Sequence, residues 1–133
     1  MPFGLTSVRG RSKVRHMAKY QADLDLVFHA LADPTRRSVV ERLGTGPAAT
    51  SELARPFSMS LPSFTQHLGV LERCGLLRSE KRGRVRTYRL APAPLETAEG
   101  WMVEQRRTWQ LRLDQLDTYL HEVDRQRRDD VVE

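Results

Sequence analysis

The chain has 133 residues and a formal net charge of +5, which allows one domain with a modest core and an appendage. Its single cysteine, Cys74, excludes an intrachain disulfide. No apolar run approaches the ~18 residues of a spanning helix, and the basic N-terminus lacks the apolar core of a signal peptide, so the chain reads as soluble and cytoplasmic, with no membrane partner. The charge is unevenly placed. Residues 1–20 hold five basic side chains and no acid, residues 61–92 hold seven against two, and residues 93–133 hold six against ten. Cations gathered this way form an electrostatic footprint for a polyanion.

Residues 1–19 read as a basic flexible arm, because Gly4, Ser7, Gly10 and Ser12 are scattered among Arg9, Arg11, Lys13 and Arg15 with no periodicity. Such an arm can reach into a minor groove or remain a solvated tail. Met17 opens a segment that reads like an ordinary protein start. Tyr20, Leu24, Val27, Phe28 and Leu31 then fall on one face of a helix. Asp33-Pro34 supplies an N-cap and a first-turn proline to a second helix ending at Leu43. Val39, Val40 and Leu43 are its inward positions and Arg36, Arg37 and Arg42 its outward ones. Gly44 to Pro47 stop it. A third, short helix covers about Thr50 to Phe57, with Pro56 limiting its length.

Ser58-Met59-Ser60 leads tightly into the stretch Leu61 to Arg73. Ser60 suits an N-cap and Pro62 a first turn, while Phe64, Leu68 and Leu71 make an apolar stripe. The opposite face carries Pro62, Gln66, Gly69 and Arg73, flanked by Ser63 and Thr65. Small hydrogen-bonding side chains on an outward face can address base edges in a major groove. Taken alone, the stretch reads slightly better as an ordinary amphipathic helix, and its neighbours reverse that balance. Two short helices joined by a few residues, the second with the polar outer face, form a helix-turn-helix.

Gly75 ends that helix, and Leu76-Leu77 begins a strand. Lys81-Arg82-Gly83-Arg84 makes a turn, and Val85 to Leu90 returns as a second strand. This hairpin, or wing, carries Arg78, Lys81, Arg82, Arg84, Arg86 and Arg89 against Glu80 alone. Like charges so dense destabilise a hairpin unless an anion lies alongside, and they exceed what protecting an exposed edge requires. Backbone phosphates fit.

Pro92 and Pro94 break the chain before one long helix, about Leu95 to Val123. Met102, Trp109, Leu116 and Val123 recur every seven residues, with Leu113 and Leu120 four after two of them. The seam predicts pairing with a second copy, helped by Leu24 and Phe28 of the first helix. The domain plan is thus an arm (1–19), a DNA-binding domain (20–92), a dimerisation helix (93–125) and a charged tail (126–133). The predicted fold class is mainly α with a small β-hairpin wing: a winged helix-turn-helix, dimeric through its first and last helices.

Several motifs in order carry a family resemblance. They are Leu31-Ala32-Asp33-Pro34-Thr35-Arg36-Arg37, Ser51-Glu52-Leu53-Ala54, Met59 to Leu68 with Val70-Leu71-Glu72 and Gly75-Leu76, and Gly83-Arg84-Val85-Arg86-Thr87-Tyr88-Arg89-Leu90. Over roughly residues 20 to 122 the chain resembles the ArsR/SmtB family of bacterial winged helix-turn-helix repressors. The resemblance implies a homodimer on a pseudo-palindromic operator, with repression relieved by an inducer. It puts DNA-reading positions on Ser60, Pro62, Ser63, Thr65, Gln66 and His67, beside Arg73 from the helix face, and phosphate contacts on Arg82, Arg84 and Arg86. His67 lies at the edge of the apolar stripe, where it could instead brace the helix or touch a phosphate.

The family's metal sensors carry a Cys-x-Cys pair in the third helix, where this chain has Ala49-Thr50-Ser51-Glu52-Leu53. The last helix offers only His121, with acids nearby, whereas zinc needs about three or four convergent ligands. No metal or cofactor is therefore expected, and the chain looks like the non-metal branch, with an unidentified small-molecule inducer. Dispersed histidines, no Gly-rich phosphate loop and no paired-carboxylate motif argue against an enzyme. Two other readings stay open: a metal- or redox-responsive repressor, the latter through Cys74, and a winged-helix module that binds protein.

Overall fold

A computed structural model of the chain describes the backbone of residues 3–132 and the side chains of residues 14–131. Two compact units divide it, Met1–Ala98 and Glu99–Glu133. The first holds helices α1 (Phe3–Leu31), α2 (Pro34–Leu43), α3 (Thr50–Ala54) and α4 (Leu61–Arg73), and strands β1 (Ala48–Ala49), β2 (Leu77–Arg82) and β3 (Val85–Leu90). Helix α5 (Ala93–Val132) starts in the first unit and makes up the second.

The sequence signals set most of these boundaries. Asp33 caps α2, its carboxylate accepting from the Arg36 amide at 3.0 Å. That bond, the largest influence on the group, holds the Asp33 carboxyl below its ordinary value. The cap is therefore complete at neutral pH, and its contribution is lost as pH falls through the lowered value. Ser60 caps α4, its Oγ accepting from the Ser63 amide at 3.3 Å, with Pro62 in the first turn. At the far end Gly75 takes φ +85. Its N–H donates to Glu72 O (2.9 Å), and that of Leu76 donates to Leu71 O (3.1 Å). This is a Schellman closure, and its customary apolar contact is supplied by Leu71 and Leu76, both buried.

Phe64, Leu68 and Leu71 of α4 are fully buried with Val27, Ala30, Val39, Leu53 and Leu76, so the stripe read from the sequence is the centre of the core. Phe57 stacks on Phe64 with ring centroids 5.4 Å apart. The wing turns through Gly83, at φ +63 the first of two turn residues, as a type II′ hairpin requires.

The secondary structure departs from the sequence reading chiefly at four places. The stretch read as an irregular arm is helical from Phe3; residues 1 and 2 lie outside the described residues. Extending an existing helix costs far less than nucleating one, and Lys13 to Lys19 contain neither glycine nor proline to stop it. Likewise the charged tail continues α5 to Val132, with an Arg128–Asp124 ion pair (3.2 Å) one turn apart; Glu133 lies outside the described residues. Helix α3 ends at Ala54 rather than near Phe57, because Pro56 has no N–H to continue it. The hairpin is also not alone. Ala48 and Ala49 pair with Tyr88 and Thr87, giving a three-stranded antiparallel sheet in the order β1-β3-β2.

On α5 the seam residues Met102, Trp109, Leu113, Leu116 and Leu120 are all about half exposed or more in the single chain. Arg112 lies 5.8 Å from the Trp109 ring, a cation–π contact along the helix. In α1, Phe28 is exposed at 36%, but Leu24 is only 4% exposed. Leu24, expected at the dimer face, is already buried within one chain. No helix among the described residues is long and apolar enough to cross a membrane.

Candidate nucleic-acid interface

Helix α4 presents the face that its sequence suggested. Pro62, Ser63, Thr65, Gln66 and Arg73 are exposed, opposite the buried stripe. Leu61, Pro62, Thr65, Gln66, Gly69, Val70 and Arg73 line one open groove. Its floor dips at Gly69, where the Arg73 guanidinium lies 3.4 Å from the point a Cβ would occupy.

The polar groups on this face are unequally free. Ser60 Oγ donates to Ser63 Oγ at 2.9 Å, and Thr65 donates to Leu61 O at 2.8 Å. The Thr65 hydroxyl is thus left mainly as an acceptor. Gln66 makes no hydrogen bond among the described residues, so its amide keeps a donor and an acceptor together. That pair matches the edge of adenine in the major groove.

His67 is not on this face. Its Nδ1 lies 3.1 Å from an Arg36 guanidinium nitrogen and 3.7 Å from the Asp33 carboxylate, with the side chain three-quarters covered. The ring sits where α4 meets the start of α2, a placement that suits the bracing role left open for it in the sequence. Arg36, expected outward, is turned in as well. Its Nε donates to Ala30 O (2.7 Å), and a terminal nitrogen donates to His29 O (3.1 Å). Arg37 donates to Leu31 O (2.8 Å). These carbonyls close α1, and His29 O also accepts from the Ala32 amide at 3.2 Å. One guanidinium therefore ties the end of α1 to the recognition helix. The Arg36→Ala variant should lose about 1–3 kcal/mol of stability, since hydrogen bonds to a charged group are the stronger ones. Urea unfolding followed by circular dichroism measures this, and a loss below about 0.5 kcal/mol would leave the tie without weight.

The wing is built of cations in register. Arg78 stands opposite Arg89 and Lys81 opposite Arg86. Arg82 is paired to Glu80 at 3.3 Å, and Arg86 donates to Ser79 Oγ at 2.8 Å. Arg84 lies at the tip. Arg84, Val85 and Arg86 line one cleft with Ala49, Thr50, Ser51 and Leu61. The tip half of the wing thus shares this cleft with the starts of α3 and α4, so that α4 and the wing border one continuous surface. Thr50 and Ser51 entered the sequence reading as a helix start and a motif residue, not as candidates for this surface, although a hydroxyl pair opening a helix is the available signal.

Cys74 is half-buried. Its thiol donates to Leu71 O at 3.2 Å, and burial pushes its pKa up, which disfavours the reactive thiolate. His121 faces Asp117 at 3.7 Å on exposed helix surface. Among the described residues no group of three or more His, Cys, Asp or Glu side chains is placed to hold a metal ion.

A helix-turn-helix whose second helix keeps an open polar face, continued by a cationic hairpin, defines a winged helix-turn-helix DNA-binding protein. A family model described as a helix-turn-helix domain matches residues 31–80. The chain is 44% identical over 79 residues to the HTH-type transcriptional regulator Rv2034 of Mycobacterium tuberculosis, covering 59% of this chain and 73% of that one. It is 31% identical over 77 residues to the transcriptional repressor SdpR of Bacillus subtilis, covering 58% and 86%. The crystal structure of the ArsR family transcriptional regulator RHA00566 superposes with a TM-score of 0.66 at 49% identity, covering 68% of this chain and 93% of that one. The chain belongs to the ArsR family of DNA-binding transcriptional regulators.

Proposed function

We propose that this regulator acts in the cytoplasm as a homodimeric repressor without catalytic activity of its own, binding a pseudo-palindromic operator. Gln66, Ser63 and Thr65 read bases, Ser60, Pro62 and Arg73 frame the groove, and Arg82, Arg84 and Arg86 hold phosphates. The observation that carries this reading is the uncommitted Gln66 amide on a face continuous with the cationic wing. The repressor named among the relatives supports the direction of control. Pairing is supported by the long exposed seam of α5, which leaves five large apolar side chains in water in the single chain. Release by a small molecule remains part of the proposal, with α5 as the element whose pairing such a ligand would bias. A winged module that binds protein would call for a mainly apolar or acidic wing, whereas this one sets six cations against Glu80 and one exposed apolar residue, Val85.

The test is binding to the DNA upstream of the chain's own gene, measured by fluorescence anisotropy across a salt series. Gln66→Ala should lose about 1–3 kcal/mol on the operator and little on random duplex. Arg84→Ala should weaken both and reduce the salt slope by about 0.9 for each phosphate released. Equal losses on both duplexes for Gln66→Ala, or an unchanged slope for Arg84→Ala, would reverse the assignments.

A further inference from the structure

Two arginines of the wing are left over by this arrangement. Side chains alternate between the faces of a strand. Leu77 and Tyr88, both buried, mark the inner face of the sheet, so Arg78, Glu80, Thr87 and Arg89 share the outer one. Arg78 and Arg89 are direct cross-strand partners. Neither has an acid or an acceptor among the described residues, whereas Arg82 has Glu80 and Arg86 has Ser79. Like charges placed opposite each other repel, and the chain spends its only acid in the wing elsewhere: Glu80 turns toward the tip, to Arg82. Pro47, Arg78, Glu80, Thr87 and Arg89 border a hollow of about 170 Å³ on this face. The Thr87 hydroxyl adds a neutral hydrogen-bonding group at its edge. The pair lies four residues back from the turn, about 13 Å along the strands, and on the opposite face from the core that carries α4.

We propose that Arg78 and Arg89 form a second anion site on the outer face of the wing, specific for a phosphate group and separate from the recognition helix and the wing tip. Two guanidinium forks can each offer paired N–H donors to phosphate oxygens, and the bound charge removes their mutual repulsion. One source is a duplex phosphate beyond the segment that α4 reads, which extends the footprint and rests on the DNA-binding reading above. The other is a free phosphate-bearing molecule, whose binding does not depend on that reading.

The experiment uses the full chain and the double variant Arg78→Gln/Arg89→Gln. Binding is measured across a salt series to random-sequence duplexes of about one and about three helical turns, and to inorganic pyrophosphate by calorimetry. For a duplex source the wild type shows a steeper salt slope on the long duplex than on the short one. The double variant then loses that excess, about 0.9 per site, and keeps its slope on the short duplex. For a free-phosphate source the slopes are unchanged, but pyrophosphate binds the wild type and not the variant. In either case the unliganded variant should melt no lower than the wild type, because a repulsion has been removed. Unchanged slopes together with equal pyrophosphate binding, or a clearly lower melting temperature, overturn the proposal. A wild type indifferent to every duplex at low salt would sink the repressor reading, while the pyrophosphate arm still decides the site.

Discussion

Leu116→Glu should convert the protein from a dimer to a monomer at micromolar concentration. Leu116 sits mid-seam on α5, 53% exposed in one chain, with Trp109 and Leu120 within a turn or two on the same stripe. In a pair of α5 helices this position would be covered from the partner's side. A carboxylate there must be desolvated or neutralised, a cost of several kcal/mol for each copy. The dimer constant should weaken by at least about 100-fold, since each 1.4 kcal/mol is a factor of ten. Operator affinity should fall by roughly 10²–10⁴, the gain that linked sites confer, while each monomer keeps its weak attraction for duplex. Sedimentation velocity and anisotropy give both numbers. A Leu116→Glu protein that still sediments as a dimer would place the joint elsewhere.

Phe64→Ala should be the most damaging change within the first unit. The ring is fully buried beneath the recognition helix and stacked on Phe57. Truncating a buried Phe costs about 3–5 kcal/mol in transfer and cavity terms. For a domain of this size about 4–8 °C is lost per kcal/mol, so the melting temperature should drop by at least ~12 °C. Phe64→Leu, which refills most of the space, should recover much of the loss. Operator binding measured on the still-folded fraction should also weaken, because the same ring seats α4, the helix proposed to read DNA. A calorimetric scan with a drop under about 5 °C would mean that the core collapses around the void.

The elements that the sequence made legible are those whose signals are local. The Asp33-Pro34 and Ser60-x-Pro62 starts, the Gly75 stop, the Gly83 turn and the Phe64/Leu68/Leu71 stripe each depend on neighbours within a few positions, and each stands where it was expected. What stayed hidden depends on distant partners. The contact between His67 and Arg36, 31 residues earlier, has no signature in the local sequence. Ala48-Ala49 has no strand signature and is extended because β3 offers an edge. Leu24 has the spacing of an interface residue and the exposure of a core one. The polar face of α4 was readable, but which of its hydroxyls were already engaged was not: the bond from Thr65 back to Leu61 O depends on a rotamer rather than on spacing.

The strand order β1-β3-β2 sets a limit on adaptation. Because β3 is laced on one side to the residues just ahead of α3 and on the other to β2, the hairpin is moored to the helix pair at its root. In the proposed dimer each protomer would therefore carry a gauge of fixed width between the helix proposed to read the groove and the wing proposed to hold phosphates. Operators with altered spacing between half-sites would have to be met at the joint between protomers, and selection for new targets should alter that joint or the side chains of α4 and leave the root of the hairpin alone.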